Sequence, residues 1–112
     1  MSPLTTHLLD TSTGRPAAQL AVQLLRAQAD VFEPVATATT NTDGRVPALL
    51  PPGALQAGRY HLCFATAVYF ARDGRPCFYP EVTIDFEVTA PQEHHHVPLL
   101  LSPFGYSTYS GS

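Results

Sequence analysis

The chain contains no lysine: its 6 basic residues are all arginine, against 9 acidic ones, for a formal net charge of −3. Without a lysine amine, Schiff-base chemistry on that side chain is excluded. Nucleic-acid binding draws on clustered positive charge, which this balance does not supply. Arginine alone suits bidentate recognition of planar anions and amides, although a codon bias produces the same composition. Cysteine is scarce, with only Cys63 and Cys77. No apolar leader occupies Met1–His7, so the reading is a cytoplasmic, reduced protein with both thiols free. Neither cysteine has a sequence neighbour that would activate it as a nucleophile, and Cys63 reads as a small buried hydrophobe. No apolar run approaches membrane-spanning length. There is no Gly-rich phosphate loop, no usefully spaced carboxylate pair and no Gly-x-Ser-x-Gly elbow.

What remains is apolar. Hydrophobic residues make up 45% of the 112-residue chain and charged ones 13%. That length predicts one domain, residues 1–112, with apolar surface left for a wide core or a subunit interface. Val82–Thr89 alternates apolar and polar without error, which predicts a strand with one buried face. Leu20–Gln28 and Val31–Thr40 read as two further strands. Arg59–Phe70 reads as one long strand, with Leu62, Phe64, Val68 and Phe70 on one face and Cys63, Ala65 and Ala67 on the other. Val97–Leu101 reads as a short apolar strand that Pro98 assigns to a sheet edge. Thr13–Pro16, Asn41–Gly44 and Arg72–Pro76 are turns. Pro51–Gly58 is the one place for a short helix, and 11 prolines break any helical period elsewhere. The sum predicts an all-β antiparallel sandwich. The C-terminal tail carries Phe104, Tyr106 and Tyr109, aromatics that favour burial, so the tail is expected to dock rather than fray.

Five histidines are the groups that titrate near neutral pH. On a strand, His94 and His96 share a face and His95 takes the other. The pair permits a two-histidine metal contact, or one functional histidine with solvated neighbours; the second is favoured because zinc needs further ligands. His7 lies on the first strand, where its plain role is surface polarity. Arg45 follows the Asp43–Gly44 turn, where a solvated arginine is ordinary. Spacing alone does not bring His7, Arg45 and His96 together.

Four motifs do. Thr6-His7-Leu8-Leu9-Asp10-Thr11 with Gly14-Arg15-Pro16-Ala17, Thr42-Asp43-Gly44-Arg45-Val46, Tyr69-Phe70-Ala71 with Phe78-Tyr79-Pro80-Glu81-Val82, and His94–Pro103 with Tyr106-Ser107-Thr108-Tyr109 occur in order over essentially the whole chain. In these the chain resembles the transthyretin-related 5-hydroxyisourate hydrolases of urate breakdown. The resemblance implies a transthyretin-like sandwich of two four-stranded sheets with one short helix. It implies a homotetramer, a dimer of dimers, with active sites between dimers, and neither a cofactor nor a metal. It implies hydrolysis of 5-hydroxyisourate to 2-oxo-4-hydroxy-4-carboxy-5-ureidoimidazoline. His7, Arg45, His96 and Ser112 carry over as catalytic residues, and Tyr109, Ser110 and Gly111 as substrate-binding ones. His96 or His7 would act as base, Arg45 would stabilise the oxyanion, and Ser112 would complete the polar wall. The family usually ends Tyr-Arg-Gly-Ser, whereas here Ser110 replaces the arginine. That loss predicts a weakened enzyme, or a rate profile displaced to higher pH. Two other readings are a transthyretin-type carrier of a hydrophobic ligand in a central channel, and a metal-binding module built on His94 and His96.

Overall fold

A computed structural model of the chain describes residues 2–111. Strands β1 (Leu4–Thr5), β2 (Leu8–Asp10), β3 (Arg15–Pro16), β4 (Ala21–Gln28), β5 (Val31–Thr39) and β6 (Gly58–Phe64) precede the short helix α1 (Thr66–Ala71). Strands β7 (Val82–Val88), β8 (His95–His96), β9 (Leu99–Ser102) and β10 (Gly105–Thr108) follow it. They form two four-stranded sheets, ordered β10-β9-β2-β3 and β5-β4-β6-β7, and a two-stranded pair β1-β8. Side chains at alternate positions meet between the sheets. Leu4, Leu8, Leu99 and Leu101 come from one side, and Leu24, Leu62, Phe64 and Val82 from the other, all fully buried. Each such side chain contributes roughly 1.5–3 kcal/mol. The sandwich expected from alternation is therefore present, as is the strand at Val82.

Two pairings are parallel, against the antiparallel expectation: β1 with β8 and β2 with β9. They share one register, Leu4 opposite His95 and Leu8 opposite Leu99, and the backbone bonds between them are continuous. Pro3, Thr5 and His7 carbonyls accept from the amides of His95, Val97 and Leu99, each at 2.9 Å. Residues Thr5, His7 and Leu9 consequently share one outward face with His96 and Leu100.

Three expectations are corrected. The long strand over Arg59–Phe70 stops at Phe64 and turns into α1. The Thr66 hydroxyl bonds the Tyr79 carbonyl and the Ala67 amide bonds the Pro80 carbonyl, so these residues are held away from the sheet. Phe70 is buried while Val68 is 62% exposed, so the two do not share a face. No helix forms over Pro51–Gly58, where Gly53 adopts a left-handed φ of 80° that ends any helical run. Pro98 does not mark an edge: it precedes β9, which lies between β10 and β2. The tail docks through its backbone, since β10 pairs with β9, yet within one chain Phe104 is 68% and Tyr109 59% exposed.

Asp10, at the end of β2, is fully buried and ties the helix region to the sheet. Tyr69 Oη and Arg75 Nη2 each donate to its Oδ2 at 2.9 Å, and the Ser12 amide donates to Oδ1 at 3.1 Å. Burial pushes this carboxyl up, but the hydrogen bonds from Arg75, Ser12 and Tyr69 outweigh it and hold the group below the ordinary carboxylate value. Its stabilisation is therefore present above about pH 4 and is lost as acid titrates the folded protein. Asp10→Ala is expected to cost about 1–3 kcal/mol, because it removes the buried acceptor shared by Tyr69, Arg75 and the Ser12 amide. Urea unfolding at neutral pH measures this, and the gap from the parent protein is expected to close at low pH.

Candidate functional site

Arg45 is delivered by a tight turn. The Asn41 side chain accepts from the amides of Asp43 and Arg45 at 2.9 and 3.0 Å, and the Gly44 amide closes the turn on the Asn41 carbonyl at 2.9 Å. Gly44 has φ 73°, and a Cβ built there would lie 2.4 Å from the Leu8 carbonyl oxygen. Only glycine permits that approach. The gain is a bridge that sets His7 opposite Arg45 in antiparallel register, so the two side chains leave the same face.

His96 reaches that face from the neighbouring strand, opposite Thr5. Its Nδ1 lies 2.8 Å from Thr5 Oγ1, and His94 Nε2 lies 3.0 Å from the same oxygen. The rings of His94 and His96 are nearly parallel with centroids 6.4 Å apart. The His95 ring instead meets the Glu93 carbonyl at 2.9 Å, so the expected division of the three histidines holds. Beyond β10 the tail keeps the register of the β9–β10 pair, and Gly111 donates to the His96 carbonyl at 2.8 Å. A Cβ at Gly111 would sit 3.0 Å from His96 Cδ2. The bare backbone thus lets the tail lie against the imidazole.

The electrostatics favour a neutral ring. Burial first, then the positive charges of Arg45, His94 and His7, lower His96 below its ordinary value, while a backbone hydrogen bond to Thr5 works the other way. This depression exists with Ser110 in the tail, so the missing tail arginine does not leave His96 without neighbouring cations. Cys63 lies on the outer face of the opposite sheet and is only partly buried, not the buried hydrophobe expected. Burial pushes its thiol up, which disfavours the nucleophilic form.

Two concavities border the cluster. One, of about 320 Å³, is lined by Thr5, Thr6, Arg45, Val46, Pro47 and His94. The other, of about 250 Å³, lies between β7 and the tail and includes His95, His96, Tyr109 and Ser110. A third, about 380 Å³, sits on the outer face of β5-β4-β6-β7 beside Cys63 and Glu81, away from the histidines. His7, Arg45, His96 and Gly111 are brought together, with Tyr109 and Ser110 at the rim, whereas Ser112 lies outside the described residues. Among those residues, no group of three or more His, Cys, Asp or Glu side chains could hold a metal ion. Sequence reasoning missed Thr5, whose signal was its place two residues before His7 on a strand, and Asn41 and Gly44, which position Arg45.

Residues 4–111 match the model of the HIUase/Transthyretin family. The chain is 46% identical over 113 aligned residues to the 5-hydroxyisourate hydrolase of Mus musculus, covering 99% of this chain and 96% of that protein. The structure of the Klebsiella pneumoniae 5-hydroxyisourate hydrolase superimposes with a TM-score of 0.85 at 42% identity, covering 97% of this chain and 98% of that one. Sea bream transthyretin in complex with thyroxine superimposes with a TM-score of 0.91 at 30% identity, covering 97% and 94%.

An NMR titration of the His96 ring is expected to give a midpoint below about 6.5, the ordinary histidine value. In Arg45→Met the midpoint is expected to rise, because one of the charges that disfavours protonation has gone.

Proposed function

The chain belongs to the HIUase/transthyretin family, and from that membership we propose that it hydrolyses 5-hydroxyisourate at the face shared by His7, Arg45 and His96. The observation that carries the residue assignment is the convergence of these side chains: His7 opposite Arg45, and His96 on the adjoining strand, depressed by burial and then by the charges of Arg45, His94 and His7. A histidine kept neutral near pH 7 is a competent base. His96 takes a proton from water as the water oxygen bonds to a ring carbonyl carbon. The carbonyl oxygen becomes an oxyanion and is stabilised by the Arg45 guanidinium. Collapse breaks the ring C–N bond. The nitrogen leaves with a proton supplied by His7 or by the newly formed imidazolium, and the carbonyl carbon becomes a carboxylate. Tyr109, Ser110 and Gly111 wall the site on the tail side, and Ser112 is assigned to the same wall from the family pattern alone.

The reading extends to assembly. The exposed tail aromatics and the outward face with Leu9 and Leu100 suit burial between subunits, and a homotetramer of this single-domain chain would close the open site. No helix among the described residues is long and apolar enough to cross a membrane, and we place the enzyme in the cytoplasm. A carrier of a hydrophobic ligand is not favoured, because a face holding two imidazoles and a guanidinium suits a polar, planar substrate.

The test is hydrolysis of freshly prepared 5-hydroxyisourate, corrected for its spontaneous decay. His96→Ala is expected to lower the catalysed rate by about 10²–10⁴-fold. An unchanged rate would remove His96 from the reaction. Ser110→Arg is expected to raise the rate by restoring a donor at the rim, and no gain would show that the tail position is indifferent.

A further inference from the structure

Resting on that reading, we propose that Thr5 and His94 are positioning residues that fix the tautomer of His96, so that its Nε2 is the nitrogen left free to take the water proton. Thr5 Oγ1 lies 2.8 Å from His96 Nδ1 and 3.0 Å from His94 Nε2. A hydroxyl carries one proton and two lone pairs, so it donates to at most one of these rings, and toward His96 Nδ1 it is either the acceptor or the donor. If it donates to His94 Nε2, it accepts from His96 Nδ1–H, and the lone pair of His96 faces out on Nε2. If it donates to His96 Nδ1, the proton of His96 sits on Nε2 and that ring cannot act as base. The two arrangements differ only in which way three protons point, and they have opposite consequences for catalysis.

The proposed reaction selects the first. Nδ1 is taken up by Thr5 Oγ1, so Nε2 is the ring nitrogen left open, and a ring that works as a base through Nε2 carries its proton on Nδ1. The Thr5 carbonyl is anchored by the Val97 amide at 2.9 Å, which keeps Thr5 and the His96 strand in fixed register. His94 then serves as the acceptor that draws the Thr5 proton away from His96. Its ring is exposed, whereas that of His96 is partly buried, and the two stand nearly parallel. The other charged groups bearing on His96 are Arg45 and His7, neither of which hydrogen-bonds Nδ1 among the described residues. Once Nε2 accepts the water proton, Nδ1–H still donates to Thr5 Oγ1, so the imidazolium forms without any reorganisation of its partner.

The tautomer is read directly from the ¹⁵N chemical shifts of His96 in the substrate-free protein above its titration midpoint. The parent protein is expected to show Nδ1 protonated and Nε2 bare. Thr5→Val keeps the side-chain shape but removes the hydroxyl. It is expected to spread the proton over both nitrogens and to lower kcat by about tenfold or more, with KM changed by less than about twofold. Thr5→Ser is expected to restore both readouts. His94→Phe removes the acceptor without touching Thr5 and is expected to shift His96 toward Nε2–H, which keeps the idea testable if Thr5→Val does not fold. A His96 that stays Nδ1–H in Thr5→Val or in His94→Phe overturns the proposal, whatever the rate does. Because the shifts need no substrate, they stand apart from the hydrolysis assay. A parent protein with the expected tautomer but no catalysed hydrolysis would sink the assigned reaction and leave the tautomer assignment in place.

Discussion

The parallel ladder between the chain's opening strands and β8–β9 is the constraint on which the site depends. Three carbonyls on alternate residues, those of Pro3, Thr5 and His7, accept from three amides on the partner strand. The spacing of these bonds sets Thr5 against His96 and His7 one step further along the same face. A slip of one residue would turn His96 into the core and bring Val97 to the surface. The register is fixed by what lies beneath it: Leu4, Leu8, Leu99 and Leu101 are all fully buried, and no shifted pairing keeps them so. The hydrophobic core therefore specifies the geometry of the histidine face.

The cluster gathers Arg45, His7, His94 and His96, all cationic or potentially cationic, and Asp85 and Glu87 line the concavity on its β7 side. Burial, and after it the like charges of Arg45, His94 and His7, disfavours the protonated ring of His96. A neutral imidazole is the form that the proposed reaction asks of a base. The opposite arrangement stands at the far end of β2, where Asp10 is surrounded by donors and remains charged while wholly buried. The opening stretch thus runs from the histidine face at His7 to an ion pair at Asp10 that anchors α1. The two ends use the same physical terms, burial against charge, with opposite outcomes.

Much of this was legible in the sequence, and unevenly so. The alternation of Val82–Val88 has a single reading, and β7 follows it. Thr66–Ala71 was not legible as helix, because Val68, Tyr69 and Phe70 carry strand preference. What decides the matter is tertiary: the carbonyls of Tyr79 and Pro80 capture the first turn and the core takes Phe70. Pro98 misled for a related reason, since the missing donor falls just before β9 rather than within it. His7, Arg45 and His96 are ordinary residues for their local settings, and only the order of motifs around them suggested a common site. The Asp10–Arg75 pair was invisible, with the partners 65 positions apart and no pattern linking them.

The topology also has a consequence for biosynthesis. Strands β4, β5, β6 and β7 pair with partners close in sequence and can zip together as they leave the ribosome. Leu4–Thr5 has no such neighbour, and Leu8–Asp10 has only the two-residue β3 nearby in sequence. They must wait, with Leu4 and Leu8 unburied, until some ninety further residues have been translated. Throughout that interval the nascent chain carries an unpaired apolar strand of the kind chaperones capture. The face that carries His7 and His96 is thus completed only when the two ends of the chain meet.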